Sequence, residues 1–330
     1  MKKMKLKKEN LHSFLKKLLE KIEKFEKIAI FRHIHPDFDA IGSSFALKIF
    51  ISHNFKNKDI KIFGDNNDDF IKNNLCPKSD KAPKKWFSTP FLAIILDTAN
   101  KKRISDKRWL MAKFKIKIDH HPFIEKIGDL EYIDDSSTST SEILANLIEK
   151  SKFKMDKNIA EFLYIGIVGD SGRFKYKTTK AQTFYIAKKL LENNINLSNI
   201  YDRMYLRNLN DIKIMAFILD RYTVYKNKII YYILYNKDLE QLKIDVNKGK
   251  EFVNIFSAIK NIKIWCSITE DISEQCFRIS IRSNNIKINN VAKKWNGGGH
   301  ENASGSKIFN IKKDLKKFLE DLYKAINQNE

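Results

Sequence analysis

Apolar residues at 11, 14, 15, 18, 19, 22 and 25 recur at the spacing of one helical face, so the chain begins with an amphipathic helix over 11–27. Four apolar residues at 28–31 follow, a run short enough for a buried strand. It ends at His33, with Pro36 just beyond. The pattern is helical again over 40–50, and further strands are predicted at 60–63, 91–96 and 114–118. The run FLAIIL at 91–96 is the clearest of these and ends on Asp97, while 114–118 ends on Asp119-His120-His121. Strands alternating with helices predict a parallel sheet in an α/β domain. After residue 130 the pattern turns helical. Ser139-Thr140-Ser141-Glu142 has the form of a capping box ahead of Ile143, Leu144, Leu147 and Ile148. More helices are predicted over 159–168 and 181–191.

The texture changes from Arg221 onward. Segments 222–225, 229–235, 262–268 and 276–281 are rich in aromatic and β-branched residues and predict strands around a helical segment at 252–259. A Gly-rich loop, a strand at 307–311 and a basic helix complete the chain. The expected division is an α/β domain over 1–195, a helical connector over 196–220 and a smaller domain over 221–330.

Composition narrows the classes. With 43% hydrophobic residues in 330, there is material for an ordinary core, which excludes wholesale disorder. Three cysteines (Cys76, Cys266, Cys276) without a CxxC pair exclude a disulfide framework and a thiolate zinc site. No apolar run reaches the roughly 18 residues of a membrane span, and the basic start lacks an apolar signal core. A reduced, cytoplasmic protein without a membrane partner is expected. The 62 Lys and Arg against 40 Asp and Glu give a net charge of +22, which invites nucleic acid. Lysines spread over solvated faces would give the same total.

The chemistry sits at strand ends. His33-x-His35-Pro36-Asp37-x-Asp39-Ala40-x-Gly42 occupies a strand-to-helix turn where two carboxylates and an imidazole can converge. Either carboxylate alone could simply cap the helix, and Gly42 would permit close helix–sheet approach. Asp97-Thr98-Ala99-Asn100, Asp119-His120-His121-Pro122 and Gly169-Asp170-Ser171-Gly172 add three more clusters. Parallel sheets bind ligands outside the carboxyl ends of their strands, so these groups are expected in one crevice. Carboxylates and imidazoles without thiolates suit manganese or magnesium, with zinc also possible, and shared carboxylates suggest two ions. In the C-terminal region, strand alternation places Arg278, Ser280 and Arg282 on one face, suited to a phosphate.

These four motifs, in this order, resemble the DHH phosphoesterase superfamily, whose signature is Asp119-His120-His121. Gly297-Gly298-Gly299-His300-Glu301-Asn302-Ala303-Ser304-Gly305 is similar to the motif of the DHH-associated domain. The pairing most resembles the bacterial nanoRNase and pAp phosphatase branch, over residues 25–325. The resemblance implies a catalytic DHH domain, a smaller α/β domain with a mixed sheet that binds substrate, and an active-site cleft between them. It implies two manganese ions, one on His33 and Asp37, the other on Asp39, His120 and Asp170, with Asp97 shared. His121 would face the phosphate and Asp119 would orient its neighbours. His35 would have a secondary role at most. Arg282, Ser283 and His300 would contact the substrate's terminal phosphate or base, with Arg278 beside them and the backbone of Gly298 and Gly299 cradling the anion. The implied substrates are short oligoribonucleotides and 3′-phosphoadenosine 5′-phosphate (pAp), turned over by a homodimer.

Rival expectations are a phosphodiesterase acting on pApA or cyclic di-AMP, a family II pyrophosphatase, a RecJ-type exonuclease, and a non-catalytic RNA-binding protein. The last would be indifferent to loss of the metal ligands.

Overall fold

The computed structural model describes residues 10–299 and 301–328. They form two compact units that divide between Leu206 and Arg207.

The first unit runs α1 (Leu11–Lys24), β1 (Lys27–Phe31), α2 (Phe38–Asn54), β2 (Asp59–Phe63), α3 (Asp68–Lys72), β3 (Leu92–Leu96), β4 (Phe114–Asp119), β5 (Leu130–Ile133), α4 (Thr140–Lys150), α5 (Lys157–Asp170), α6 (Ala181–Leu191) and α7 (Leu197–Tyr205). Its five strands are all parallel in the order β2-β1-β3-β4-β5, as the α/β pattern predicts. Every residue of β3 is buried, because a parallel sheet is covered on both faces and its strands need apolar side chains on both. One cover is built by α1, α2, α4, α5 and α6. The other is an aromatic cluster of Phe63, Trp86, Phe87, Phe91 and Trp109. The strand β5 corrects the expectation that the chain is only helical after residue 130. Its four residues, LEYI, are too few to mark a period, and pairing with β4 decides its conformation.

Gly42 also differs from expectation. The close approach it permits is between helices, since a Cβ there would lie 2.4 Å from the Phe162 carbonyl and 2.9 Å from the Gly166 nitrogen of α5. Both neighbours are backbone and cannot rotate away. Gly42→Ala is therefore expected to cost about 1–3 kcal/mol through overpacking and lower the Tm by roughly 3–10 °C. An unchanged melting curve would show that the α2–α5 spacing does not depend on this glycine.

The second unit contains α8 (Leu209–Leu219), β6 (Thr223–Tyr225), β7 (Ile229–Leu234), α9 (Asn236–Leu242), α10 (Val246–Glu251), β8 (Ile264–Asp271), β9 (Cys276–Ser283), α11 (Asn289–Lys294), β10 (Gly298–Gly299), β11 (Ala303–Ile308) and α12 (Ile311–Asn327). The sheet order is β10-β11-β9-β8-β7-β6, mixed because β7 and β8 are parallel and the other pairs antiparallel. The amphipathic α12 covers one face with Phe318, Leu319, Leu322 and Ile326. The other face is closed by α8, α9 and a 3₁₀ turn over Phe252–Phe256, where a longer helical segment was expected. The last strand begins at Ala303 rather than 307. Its ASGS start has little β-propensity and is held by partners on both sides. Among the described residues, no helix is long and apolar enough to cross a membrane.

Candidate metal centre

The site is assembled where β1, β3 and β4 end and where α2 begins and α5 ends. His33 follows β1 and is 5% exposed. Asp37 caps α2, with its Oδ1 accepting from the backbone N–H of Asp39 and Ala40 at 3.1 Å. The capping alternative is thus realised, and it leaves Oδ2 facing His33 Nε2 at 3.5 Å. Asp39, fully buried in the first turn of α2, accepts from the backbone N–H of Thr140 at 2.7 Å and of Ser141 at 2.9 Å. Its carboxylate therefore sits on the N-terminus of α4, where amide donors and the helix dipole favour a negative charge. Ser139 caps that helix through the Glu142 N–H at 3.0 Å. Glu142 does not close the expected box but accepts from Thr138 N–H and Thr183 Oγ1.

Asp97 stands at the end of β3, 1% exposed, with φ +51°. This left-handed backbone turns the carboxylate out of the strand line, a strain typical of functional turns. Its Oδ2 lies 3.4 Å from His33 Nε2, and its Oδ1 lies 3.4 Å from His120 Nε2 and 3.6 Å from His121 Nδ1. His120 also meets Asp170 Oδ2, at the end of α5, at 3.1 Å. Three sets thus gather with ligand atoms within 4.8 Å of one another: His33–Asp37–Asp97, Asp39–His120–Asp170 and Asp97–His120–His121. His35 lies exposed on the turn, with φ +53° and its N–H on Asp65. Arg32, which the pattern did not single out, is buried behind the turn on Ser44 and Ser79.

The electrostatics show a centre short of positive charge. Burial pulls the His33 imidazole down, yet its hydrogen bonds with Asp37 and Asp97 outweigh this and raise it to about 11. Burial likewise opposes His120, but Asp170 and Asp97 hold it well above its ordinary value. Burial, with Asp97 and Asp170 nearby, drives Asp39 well above the usual carboxylate range, and burial raises Asp170 to about 6. Asp97 goes the other way: burial pushes it up, but the His120 and His33 rings hold it well below.

These residues fit divalent cations. Asp97 Oδ1 is buried with no hydrogen-bond partner, a cost that a cation removes. Asp37, Asp39, Asp97 and Asp170 supply four negative charges, which two divalent ions balance. The donors are carboxylate oxygen and imidazole nitrogen throughout.

In the second unit, Arg278 Nε lies 2.6 Å from buried Asp271, so this arginine is held in an ion pair. Arg282 donates to the Ile281 carbonyl at 2.9 Å. Ser283 Oγ donates to the Ile286 carbonyl and accepts from Asn302, which engages it in shaping its own loop. Gly298 has open space where a Cβ would project, and Gly299 has φ +134°, which side chains rarely adopt. The expected contact at His300 lies outside the described residues.

The sequence matches the DHH family, N-terminal domain, over residues 27–167 and the DHHA1 domain over 226–328. A probable bifunctional oligoribonuclease and PAP phosphatase NrnA from Streptococcus mutans is 33% identical, over 94% of this chain and 97% of its own. The chain belongs to the DHH family. The enzymatic class of this DHH protein is phosphoester hydrolysis. It is 36% identical to the uncharacterized protein MG371 of Mycoplasma genitalium, over 88% of this chain and 89% of that one. A second protein of that organism, the bifunctional oligoribonuclease and PAP phosphatase NrnA, is 32% identical over 93% and 96%. Among solved structures, an exopolyphosphatase-related protein from Bacteroides fragilis shares the fold with a TM-score of 0.81 and 25% identity, covering 96% of each chain.

Proposed function

We propose that this protein uses two divalent cations, manganese in the cell, to hydrolyse short oligoribonucleotides to nucleoside 5′-monophosphates and pAp to AMP. The observation that carries the reading is the convergence on Asp97 of three other strand and helix ends, those of β1, β4 and α2, with the end of α5 joined through His120. His33 and Asp37 would hold one cation, Asp39, His120 and Asp170 the other, and Asp97 both. When bound, the pair supplies Lewis acidity and activates water near neutral pH. The chain's own groups do the rest. Asp119 accepts from the His121 N–H at 3.2 Å and engages Nδ1 at 2.8 Å, fixing the ring. Nε2 is then the nitrogen that gives a proton to the leaving oxygen. Similarity to the oligoribonuclease and PAP phosphatase relatives supports the substrate class. A homodimer in the cytoplasm belongs to the same proposal.

The second unit's share is phosphate and base contact through Arg282 and the backbone of Gly298 and Gly299, with Ser283 and His300 beside them. Arg278 is already held by Asp271, which weakens its own claim on a substrate phosphate. Arg282→Ala is expected to raise KM for pAp by about tenfold or more, the worth of a hydrogen bond to a charged group. Neutralising Lys312 and Lys313 on α12 should leave KM within twofold (about the error of such a measurement). Equal effects from the two changes would remove Arg282 from the clamp.

The direct test offers pAp, pApA, a five-nucleotide RNA, a long RNA and pyrophosphate to the manganese-loaded protein and separates the products by chromatography. AMP from pAp and 5′-monophosphates from the short RNA are expected, with long RNA and pyrophosphate spared. Preference for pyrophosphate or long RNA would overturn the reading. Hydrolysis of pApA is the second reading.

A further inference from the structure

We propose that Lys117 is a positioning residue that sets the orientation of His121 through Asp119. This rests on the phosphoesterase reading above for its kinetic consequence, and on the geometry for its structural one.

Among the described residues, Lys117 is the only lysine whose side chain is buried, with no exposed surface at all. It lies in β4, between β3 and β5 and opposite Ile95 and Glu131. Its Nζ stands 3.1 Å from Asp119 Oδ2, in an ion pair whose two side chains are both fully buried. It also donates to the Ala99 carbonyl at 3.4 Å. Asp119 Oδ1 meets His121 Nδ1 at 2.8 Å. One ammonium thus ties the segment after Asp97 to the carboxylate that holds His121.

Energetics make a stabilising role a poor explanation. Removing an ammonium from water costs several kcal/mol, and buried ion pairs are often no better than well-packed apolar residues. A leucine or methionine would fill a parallel strand as well. What Lys117 adds is direction: with Oδ2 claimed, Oδ1 is presented to His121 Nδ1. The neutral ring is then held with its proton on Nδ1, and a second proton, taken up on Nε2, is the one the ring gives to a substrate oxygen. Oriented carboxylate–imidazole pairs of this kind act by fixing tautomer and ring plane.

The experiment compares Lys117→Met, His121→Ala and the double variant on pAp. Manganese content and melting temperature are measured for each. In the metal-free proteins the His121 imidazole nitrogens are followed by ¹⁵N NMR, assigned by their loss in His121→Ala. Lys117→Met is expected to lower kcat about tenfold or more with KM within about twofold. It should keep the manganese of the parent and mix the His121 tautomers. The double variant should be no slower than His121→Ala alone, because both changes remove one function. Effects that multiply, or an unchanged tautomer with unchanged kcat, would overturn the proposal. If Lys117→Met does not fold, Lys117→Leu, which likewise removes the donor from Asp119 Oδ2, carries the same comparison. If pAp and oligoribonucleotides prove not to be substrates, the proposed substrate reading fails, while the NMR comparison still decides whether Lys117 orients His121.

Discussion

Asp97→Asn is expected to lower turnover of pAp and of short oligoribonucleotides by roughly 10³-fold, the scale of losing a charge aimed at the reacting group. Among the described residues, Asp97 is the one carboxylate whose two oxygens face different imidazoles, His33 through Oδ2 and His120 through Oδ1. On the proposed assignment its loss touches both cation positions, whereas loss of Asp37 or Asp170 touches one. Asparagine is the right replacement. It keeps the shape, and it tolerates the left-handed backbone at φ +51° better than most residues. The fold should survive, so the loss will read as chemistry. The check is kcat under saturating manganese beside bound manganese and Tm. Near-normal turnover would sink the claim that Asp97 serves both positions.

Removal of the cations acts on both activity and stability. Chelation should abolish activity, and the metal-free protein should lose stability as pH rises. The imidazole of His33 has a folded-state value of about 11 against an ordinary 6.5, so the folded chain keeps a proton that the unfolded chain has released. That contribution is fully present below about 6.5 and is lost as pH climbs through the folded value. His120 shifts in the same direction. Asp170, raised from 3.8 to about 6, adds a loss between those two values. Asp97 and Asp119, both lowered, act oppositely and weaken the fold only in acid below the ordinary carboxylate value. Cations reverse the slope above neutrality because they bind imidazole and carboxylate without their protons. Melting curves of chelated and manganese-loaded protein between pH 6 and 9 should diverge as pH rises, by about several degrees at the upper end. Parallel curves would mean that the cluster does not exchange protons for metal.

Much of this centre was legible because its residues follow short apolar stretches. The stretches before His33 and Asp97 are contiguous over 28–31 and 91–96, and β4, although Lys115 and Lys117 interrupt its apolar residues, ends on Asp119. Other features had no local signature. The hold of Thr140 and Ser141 on Asp39 spans about a hundred residues of chain, and no period in the sequence reports it. Strand alternation placed Arg278 on the face of Arg282, but its partner Asp271 lies across the β8–β9 hairpin. Lys117 was hidden by composition: in a chain of net charge +22, a lysine reads as one more solvated charge. Only the burial of β4 on both faces separates it from the rest. The short β5 shows the limit of periodicity, since four residues cannot declare a strand without the neighbour that pairs with them.

The central claim is that a single centre, joined through Asp97, needs two cations for phosphoester hydrolysis. Turnover of pAp measured against the number of manganese ions bound per chain tests it most directly. Activity is expected to stay low through the first equivalent and to appear with the second. Full turnover at one bound ion per chain would contradict it.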